Sequence, residues 1–127
     1  MPEINVSLDA STNEIKAFTF NEFEVRLSLS TKDADPYWVE SVFEVPQPLS
    51  LAPDKPLYTG KSPIGILEKQ TVKEKRVKVW AGNDVYPNTY KIKVTLFIYD
   101  KDGAITERKE YFKELECSET NQVLQNP

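Results

Sequence analysis

Carboxylates are the side chains of this 127-residue chain that are best placed for chemistry. Two Asp-x-Asp pairs, Asp33/Asp35 and Asp100/Asp102, stand in turn-like sequences far apart in the chain. Carboxylate oxygens are hard ligands that suit calcium, and paired carboxylates can also act as general acid and base. The second pair is followed by Gly103, and Asp-x-Asp-Gly is also a good hairpin turn. A binding role and a purely structural role therefore both stay open.

Histidine is absent, and Cys117 is the only cysteine. The chain therefore lacks the usual general base near neutral pH and the ligands of a structural zinc site. Serine or cysteine nucleophiles activated by imidazole are excluded for the same reason. A carboxylate dyad would need a cleft, which a single small domain seldom provides. We predict that the protein is not an enzyme and binds no cofactor, with calcium as the one possible exception.

Composition narrows the remaining classes of function. A net charge of −4 argues against nucleic-acid binding, which needs a basic surplus. The length fits one domain with a real core, and a single cysteine allows no intrachain disulfide. No apolar run reaches the length of a transmembrane segment, and no signal-peptide pattern follows Met1. If Met1 is the native start, we expect a cytoplasmic protein.

The aspartate pairs must be positioned by strands, because apolar residues alternate with polar ones at period two along most of the chain. No segment has the 3.6-residue period of a substantial helix. Seven short strands separated by turns favour an all-β, immunoglobulin-like antiparallel sandwich. We expect residues 1–117 to form one domain and residues 118–127 to form a polar, disordered tail. The strands are predicted at 4–8 (extended or repeated at 14–20), 23–30, 37–45, 64–68, 72–80, 89–99 and 105–115.

Residues 46–63 hold five of the nine prolines and are predicted not to form strands. Proline cannot donate to a sheet ladder, so the segment is interpreted as an extended connection along a sheet edge. The alternative is a PxxP ligand, Pro53–Pro56, for an aromatic groove. We favour the structural role.

Residues 80–103, WAGNDVYPNTYKIKVTLFIYDKDG, resemble prokaryotic immunoglobulin-like modules of the PKD and CARDB type. The resemblance consists of a strand, a turn with proline, a tyrosine, alternating hydrophobic residues and an Asp-rich turn closed by glycine. Tyr90 stands two positions before the inward Ile92, where a tyrosine-corner residue would lie. This resemblance implies an accessory or adhesive binding role without catalysis.

A second resemblance concerns the two aspartate loops. Residues 33–37 and 98–102 are similar to two loop signatures of C2 domains, which are sandwiches of about this size. In that family, such carboxylates bind calcium and dock the domain on anionic membranes. The resemblance implies that Asp35, Asp100 and Asp102 are calcium ligands, with Asp33 as an additional one. Loops at the same pole of a sandwich would bring the four side chains together.

An aromatic face is the second candidate site. If odd residues of the strand at 37–45 point inward, no charge is buried; the opposite register would bury Glu40 and Glu44. The strand at 89–99 then points its even residues inward. The outward residues Trp38, Val42, Phe97 and Tyr99 would cluster on one sheet and form a binding face for a protein, a second copy of the chain or a sugar ring.

Two further expectations concern this face. Glu40 and Glu44 should lie near Lys91 and Lys93 and form cross-strand ion pairs with them. The alternative to an open binding face is a cover, formed by Leu49, Leu51 and Leu57 as the proline-rich segment folds back.

The leading hypothesis is a non-catalytic protein-interaction or assembly module. The alternatives are a calcium-dependent ligand- or membrane-binding module and a structural subunit of a virus or surface appendage.

Overall fold

The computed structural model describes residues 2–119, which fold into a sandwich of two β-sheets. One sheet has four strands in the order β1-β3-β7-β5, and the other has five in the order β2-β9-β8-β4-β6. Neighbouring strands are antiparallel except for β2 and β9, which run parallel. The strands are β1 Ile4–Ala10, β2 Glu14–Lys16, β3 Asn21–Thr31, β4 Tyr37–Glu44, β5 Leu49–Ser50, β6 Thr59–Leu67, β7 Val72–Ala81, β8 Asn88–Tyr99 and β9 Ile105–Ser118.

The predicted inward and outward positions of the two central strands are confirmed. Val39, Ser41 and Phe43 of β4 are almost fully buried, as are the even residues of β8 from Tyr90 to Ile98. These side chains face Leu27 and the other apolar residues of β3 across the interior. Ser41 is the one polar side chain that β4 points inward, and its hydroxyl donates a hydrogen bond to the carbonyl of Ser62. Alternation at period two therefore builds one continuous core.

One short strand, β5, was not predicted, whereas β2 lies where a repeat of the first strand was one of the expected alternatives. Residues 14–20 do not simply extend β1, because β2 crosses to the other sheet and pairs with the end of β9. The prediction that residues 46–63 form no strand is wrong, since β5 and the first half of β6 lie within them. Leu49 of β5 is fully buried against the core, a tertiary contact that local sequence does not encode. Pro63 lies in β6, an edge strand, where a missing ladder donor is tolerated.

The predicted tyrosine corner is present. The Tyr90 hydroxyl donates a hydrogen bond of 2.6 Å to the Tyr86 carbonyl, four residues upstream. The two rings pack edge to face, with centroids 5.9 Å apart. This contact ties the turn before β8 to the strand itself.

At the other end of the chain, β9 extends to Ser118, which the sequence assigned to the tail. Residues 120–127 of that predicted tail lie outside the described residues. No helix among residues 2–119 is long and apolar enough to cross a membrane.

Candidate binding face and aspartate pole

The structure brings the four predicted face residues together on the outer side of the five-stranded sheet. Trp38 lies directly opposite Tyr99 in the β4–β8 ladder, and Phe97 lies opposite Glu40. Val42 lies opposite Thr95, one pair further along the same side. Trp38 is 40% exposed, whereas the other three are partly covered by their neighbours. We call this surface, formed by Trp38, Val42, Phe97 and Tyr99, the outer face.

Glu40 fixes the two aromatic rings at the end of the outer face. Trp38 donates its indole Nε1–H to Glu40 Oε2 at 3.2 Å, and the Tyr99 hydroxyl donates to Oε1 of the same carboxylate at 3.5 Å. One carboxylate thus accepts a hydrogen bond from Trp38 and a longer one from Tyr99, while the Trp38 ring remains 40% exposed. Rings that are held in this way lose little conformational entropy when a partner covers them.

A shallow cavity of about 350 Å³ opens beside these rings. Val42, Phe97 and Tyr99 line it together with Pro63 of β6 and Ile105 of β9. Ile105 is 61% exposed, and Ile66 of β6, 50% exposed, lies opposite Trp38.

Sequence reasoning missed Pro63, Ile66 and Ile105. Ile66 and Pro63 reach this side because the β4–β6 register shifts beside Val39 and Glu40, where Gly65 adopts a φ of 106°. The glycine in the sequence was the one available signal of such a bulge.

The predicted placement of the charges is confirmed in part, because Glu44 lies directly opposite Lys93 in the β4–β8 ladder. None of the ion pairs among the described residues joins Glu40 or Glu44 to a lysine. Lys93 instead pairs with Glu110 of β9 at 3.4 Å. The Lys91 ammonium lies 5.7 Å from the Phe112 ring centroid, over its face. The expected ion pairs do not form among the described residues, because Lys93 pairs with Glu110 and not with the facing Glu44, and Glu40 accepts from Trp38 and Tyr99.

The expected alternative, a cover made by the proline-rich segment, is also wrong. Leu49 is buried in the core and pairs with Ala81 in the opposite sheet. Leu51 packs against the same core, and Leu57 remains 38% exposed. β5 draws the leucine-bearing part of the segment to the edge of the four-stranded sheet, and only its last residues, in β6, lie beside β4.

The four predicted aspartates lie at one pole, but they do not form one cluster. Asp35, Asp100 and Asp102 line an open cavity of about 490 Å³ together with Tyr37 and residues of both loops. Asp100 Oδ1 accepts hydrogen bonds from the backbone N–H groups of Asp102 and Ala104, as in a hairpin turn. Within residues 2–119, no three acidic, histidine or cysteine side chains are arranged to hold a metal. Calcium binding remains a prediction.

Asp33 has a structural role at this pole. Its Oδ2 accepts hydrogen bonds from the Glu3 backbone N–H at 2.9 Å and from the Tyr37 hydroxyl at 2.7 Å. These bonds, the Glu3 N–H first, lower the pKa of Asp33. The same carboxylate raises the pKa of Tyr37 to about 12. Asp33 therefore ties the start of β1 to the start of β4.

Comparison with known proteins supports the fold. No protein-family model matches the chain, and no curated protein matches it significantly in sequence. Among solved structures, it is similar to the CARDB domain of a Pyrococcus furiosus protein, which was crystallised in complex with di-metal ions. The TM-score is 0.53 at 11% identity, over 93% of this chain and 94% of that domain.

The chain also matches a Pseudomonas fluorescens alkylpurine DNA glycosylase, AlkC, bound to DNA that contains an abasic-site analogue. That match covers 92% of this chain and 31% of the glycosylase, with 10% identity and a TM-score of 0.45, which is too low to indicate a shared fold. The two-sheet topology and the first similarity lead to one conclusion: the chain is an all-β, immunoglobulin-like sandwich with a fold similar to that of a CARDB domain.

Proposed function

We propose that this chain is a non-catalytic protein-interaction module that binds a partner through the outer face. The observation that carries the proposal is the exposed Trp38 ring, held by Glu40 beside Tyr99 on an uncovered sheet. Tryptophan and tyrosine are enriched at interaction hot spots because they bury large, rigid, amphipathic surfaces. Such a cluster on a sheet that faces solvent is best explained by a partner.

The surroundings of the outer face indicate the chemistry of that partner. Apolar side chains surround the Glu40 carboxylate on this face, with Ile66, Pro63 and Ile105 beside the aromatic rings. Charged groups of both signs, including the Arg108–Glu110 pair at 2.9 Å, lie along β9 at its margin. A mainly apolar surface with one engaged carboxylate and a charged rim fits a protein surface that offers an aliphatic or aromatic anchor. A sugar ring stacked on Trp38 is the competing occupant.

Trp38→Glu tests the proposal. A carboxylate at this exposed position leaves the core intact and removes the exposed tryptophan ring, so affinity for the partner should fall by about 2 kcal/mol or more, roughly 30-fold. Val72→Glu is the matched control, because Val72 is 69% exposed on the other sheet. Pull-down from the native host followed by titration of the purified partner gives the measurement. Equal affinities for Trp38→Glu and wild type would exclude the outer face, and competition by free sugars would identify the other occupant.

Calcium binding at the aspartate pole is a second candidate. Asp35, Asp100 and Asp102 line one cavity, which is the observation in its favour. The similar CARDB domain was crystallised with metal ions, although its identity to this chain is low. A ligand bound only by the native state must stabilise that state. Millimolar calcium should therefore raise the melting temperature of wild type and leave that of Asp35→Asn and Asp102→Asn unchanged; a wild type that does not respond ends this hypothesis.

The third hypothesis is a structural subunit of a virus or surface appendage. It predicts ordered polymers of the purified chain, which electron microscopy and light scattering detect. A chain that stays small at high concentration contradicts it.

A further inference from the structure

The two sheets have four edges, and three of them carry features that block pairing with another strand. The β6 edge contains Pro63 and the irregular Gly65. The β7 edge, which β5 covers only at Trp80 and Ala81, points lysines inward. The β9 edge, which β2 covers only at its end, points one glutamate and two lysines inward. Inward charges and proline are the usual protection of an edge strand. The inward charges, assigned from the ladder registers, are Lys73, Lys75, Glu107, Lys109 and Lys113.

The β1 edge has none of these features within the described part of the chain. Its sequence, INVSLDA, contains no proline, glycine or lysine, and Asp9 is its single charge. Ile4, Val6, Leu8 and Ala10 point toward the core but remain only partly buried, because nothing lies beyond β1 in the sheet. The pairing with β3 is regular over all seven residues. This edge is regular and carries a single charge, and Ile4, Val6 and Leu8 line its inner side, so it lacks the features that protect the other three edges.

The direction of the backbone groups follows from one hydrogen bond. The Ser11 N–H donates to the Glu24 carbonyl at 2.8 Å, so the backbone of Ser11 faces β3. Backbone groups alternate in direction along an antiparallel strand, so those of Asn5, Ser7 and Asp9 also face β3. The N–H and C=O groups of Ile4, Val6, Leu8 and Ala10 therefore point away from the sheet at the open edge.

We propose that β1 pairs with β1 of a second copy of this chain about a two-fold axis at Ser7. The two four-stranded sheets would then join into one continuous antiparallel sheet. In this register Val6 faces the partner's Leu8, and Ile4 faces the partner's Ala10. The four residues whose backbone groups face the open edge all lie in hydrogen-bonded pairs with the second copy. This gives a ladder of about eight hydrogen bonds.

The side chains of this register are complementary to themselves. Asn5 faces the partner's Asp9, and Ser7 faces the partner's Ser7, so no two like charges lie opposite each other. On the inner side, the partly buried apolar residues of β1 gain contacts with their counterparts. An isologous contact of this kind closes on itself and produces a dimer rather than a filament. The surface is separate from the outer face, so either proposal can fail without the other.

A cysteine cross-link tests both the contact and its register. Ser7→Cys places two thiols in a non-hydrogen-bonded pair with Cα atoms about 4.5 Å apart, within reach of a disulfide. Asn5→Cys is the matched control on the same side of β1, because its two copies would be roughly 13 Å apart. Under mild oxidation Ser7→Cys should give a covalent dimer and Asn5→Cys should not, whereas a mixture of Asn5→Cys with Asp9→Cys should cross-link. The native thiol of Cys117 is buried and stays out of the reaction.

Charge variants provide a second measurement without oxidation. Ser7→Lys puts two ammonium groups opposite each other and should lower dimerisation several-fold in sedimentation, and mixing it with Ser7→Glu should restore dimers. Ser7 is exposed, so both variants should fold, which circular dichroism checks. Ser7→Cys that stays monomeric, or Asn5→Cys that cross-links equally well, overturns the proposal. Sedimentation of Ser7→Lys identical to that of wild type does so as well.

Discussion

Removal of the Tyr90 hydroxyl measures how much the tyrosine corner stabilises this sandwich. Tyr90 is 2% exposed, and its hydroxyl donates to the Tyr86 carbonyl at 2.6 Å. Tyr90→Phe keeps the ring and all its packing, so no cavity forms and the change isolates the hydrogen bond.

The expected loss follows from the burial of the two groups. A neutral hydrogen bond contributes about 1 kcal/mol net, and an acceptor left buried without a partner costs about 1–3 kcal/mol. Tyr86 is 47% exposed, so water can reach this part of the turn and replace the lost donor. We therefore expect the lower value, a destabilisation of about 1 kcal/mol. In urea this corresponds to a midpoint lower by roughly 0.5 M at unchanged slope.

Tyr86→Phe is the matched control. The Tyr86 hydroxyl makes no hydrogen bond to the described residues, and its ring contact with Tyr90 would remain. This variant should unfold at the wild-type urea concentration. The reasoning is refuted if Tyr90→Phe matches wild type, or if the two variants are destabilised equally. A changed slope would mean that the mutation altered the unfolded state instead.

Three other predictions concern single side chains. Tyr37 should ionise near pH 12 in an ultraviolet titration, and the Asp33→Ala variant should return the pKa of Tyr37 toward 10. Because the pKa of Tyr37 is raised in the folded state, the stability from its hydrogen bond to Asp33 is complete below about pH 10. That stability is lost as the pH rises through 12. A normal Tyr37 pKa in wild type contradicts the hydrogen bond. Burial raises the pKa of the Cys117 thiol, so a thiol reagent should label it only as fast as the protein unfolds; rapid native labelling would contradict its burial. Gly103→Ala should cost about 1 kcal/mol in urea unfolding, because φ is 84° there while the space beside it is open; an unchanged midpoint would contradict that strain.

The sequence predicted which residues of a strand point inward wherever apolar residues alternate with polar or charged ones. In β4, the opposite register would have buried the charges of Glu40 and Glu44 without partners, which is costly. The sequence therefore predicted that the odd-numbered residues of β4 point inward. Tyr90 could be placed at a tyrosine corner because its spacing from Ile92 depends only on local sequence. The clustering of the four outer-face residues followed from the same alternation once β4 and β8 were taken as neighbours.

Partner choice between remote segments was not available from sequence. Glu40 had two sets of possible partners, and distances in the folded sheet favour Trp38 and Tyr99 over the lysines of β8. Leu49 could have covered the outer face or entered the core, and pairing of β5 with β7 decided for the core. The bulge at Gly65 placed Ile66 beside Trp38.

The amino-acid sequence by itself thus determined an all-β sandwich, the sides of its central strands and the aromatic composition of the outer face, because alternation and charge act over a few neighbouring residues. Only the tertiary structure decided that the face is uncovered, that Glu40 orders its rings, that Asp33 binds Glu3 and Tyr37, and that β1 lies at an open edge. Those features depend on distances between residues far apart in the chain, and such distances are set by how the two sheets pack.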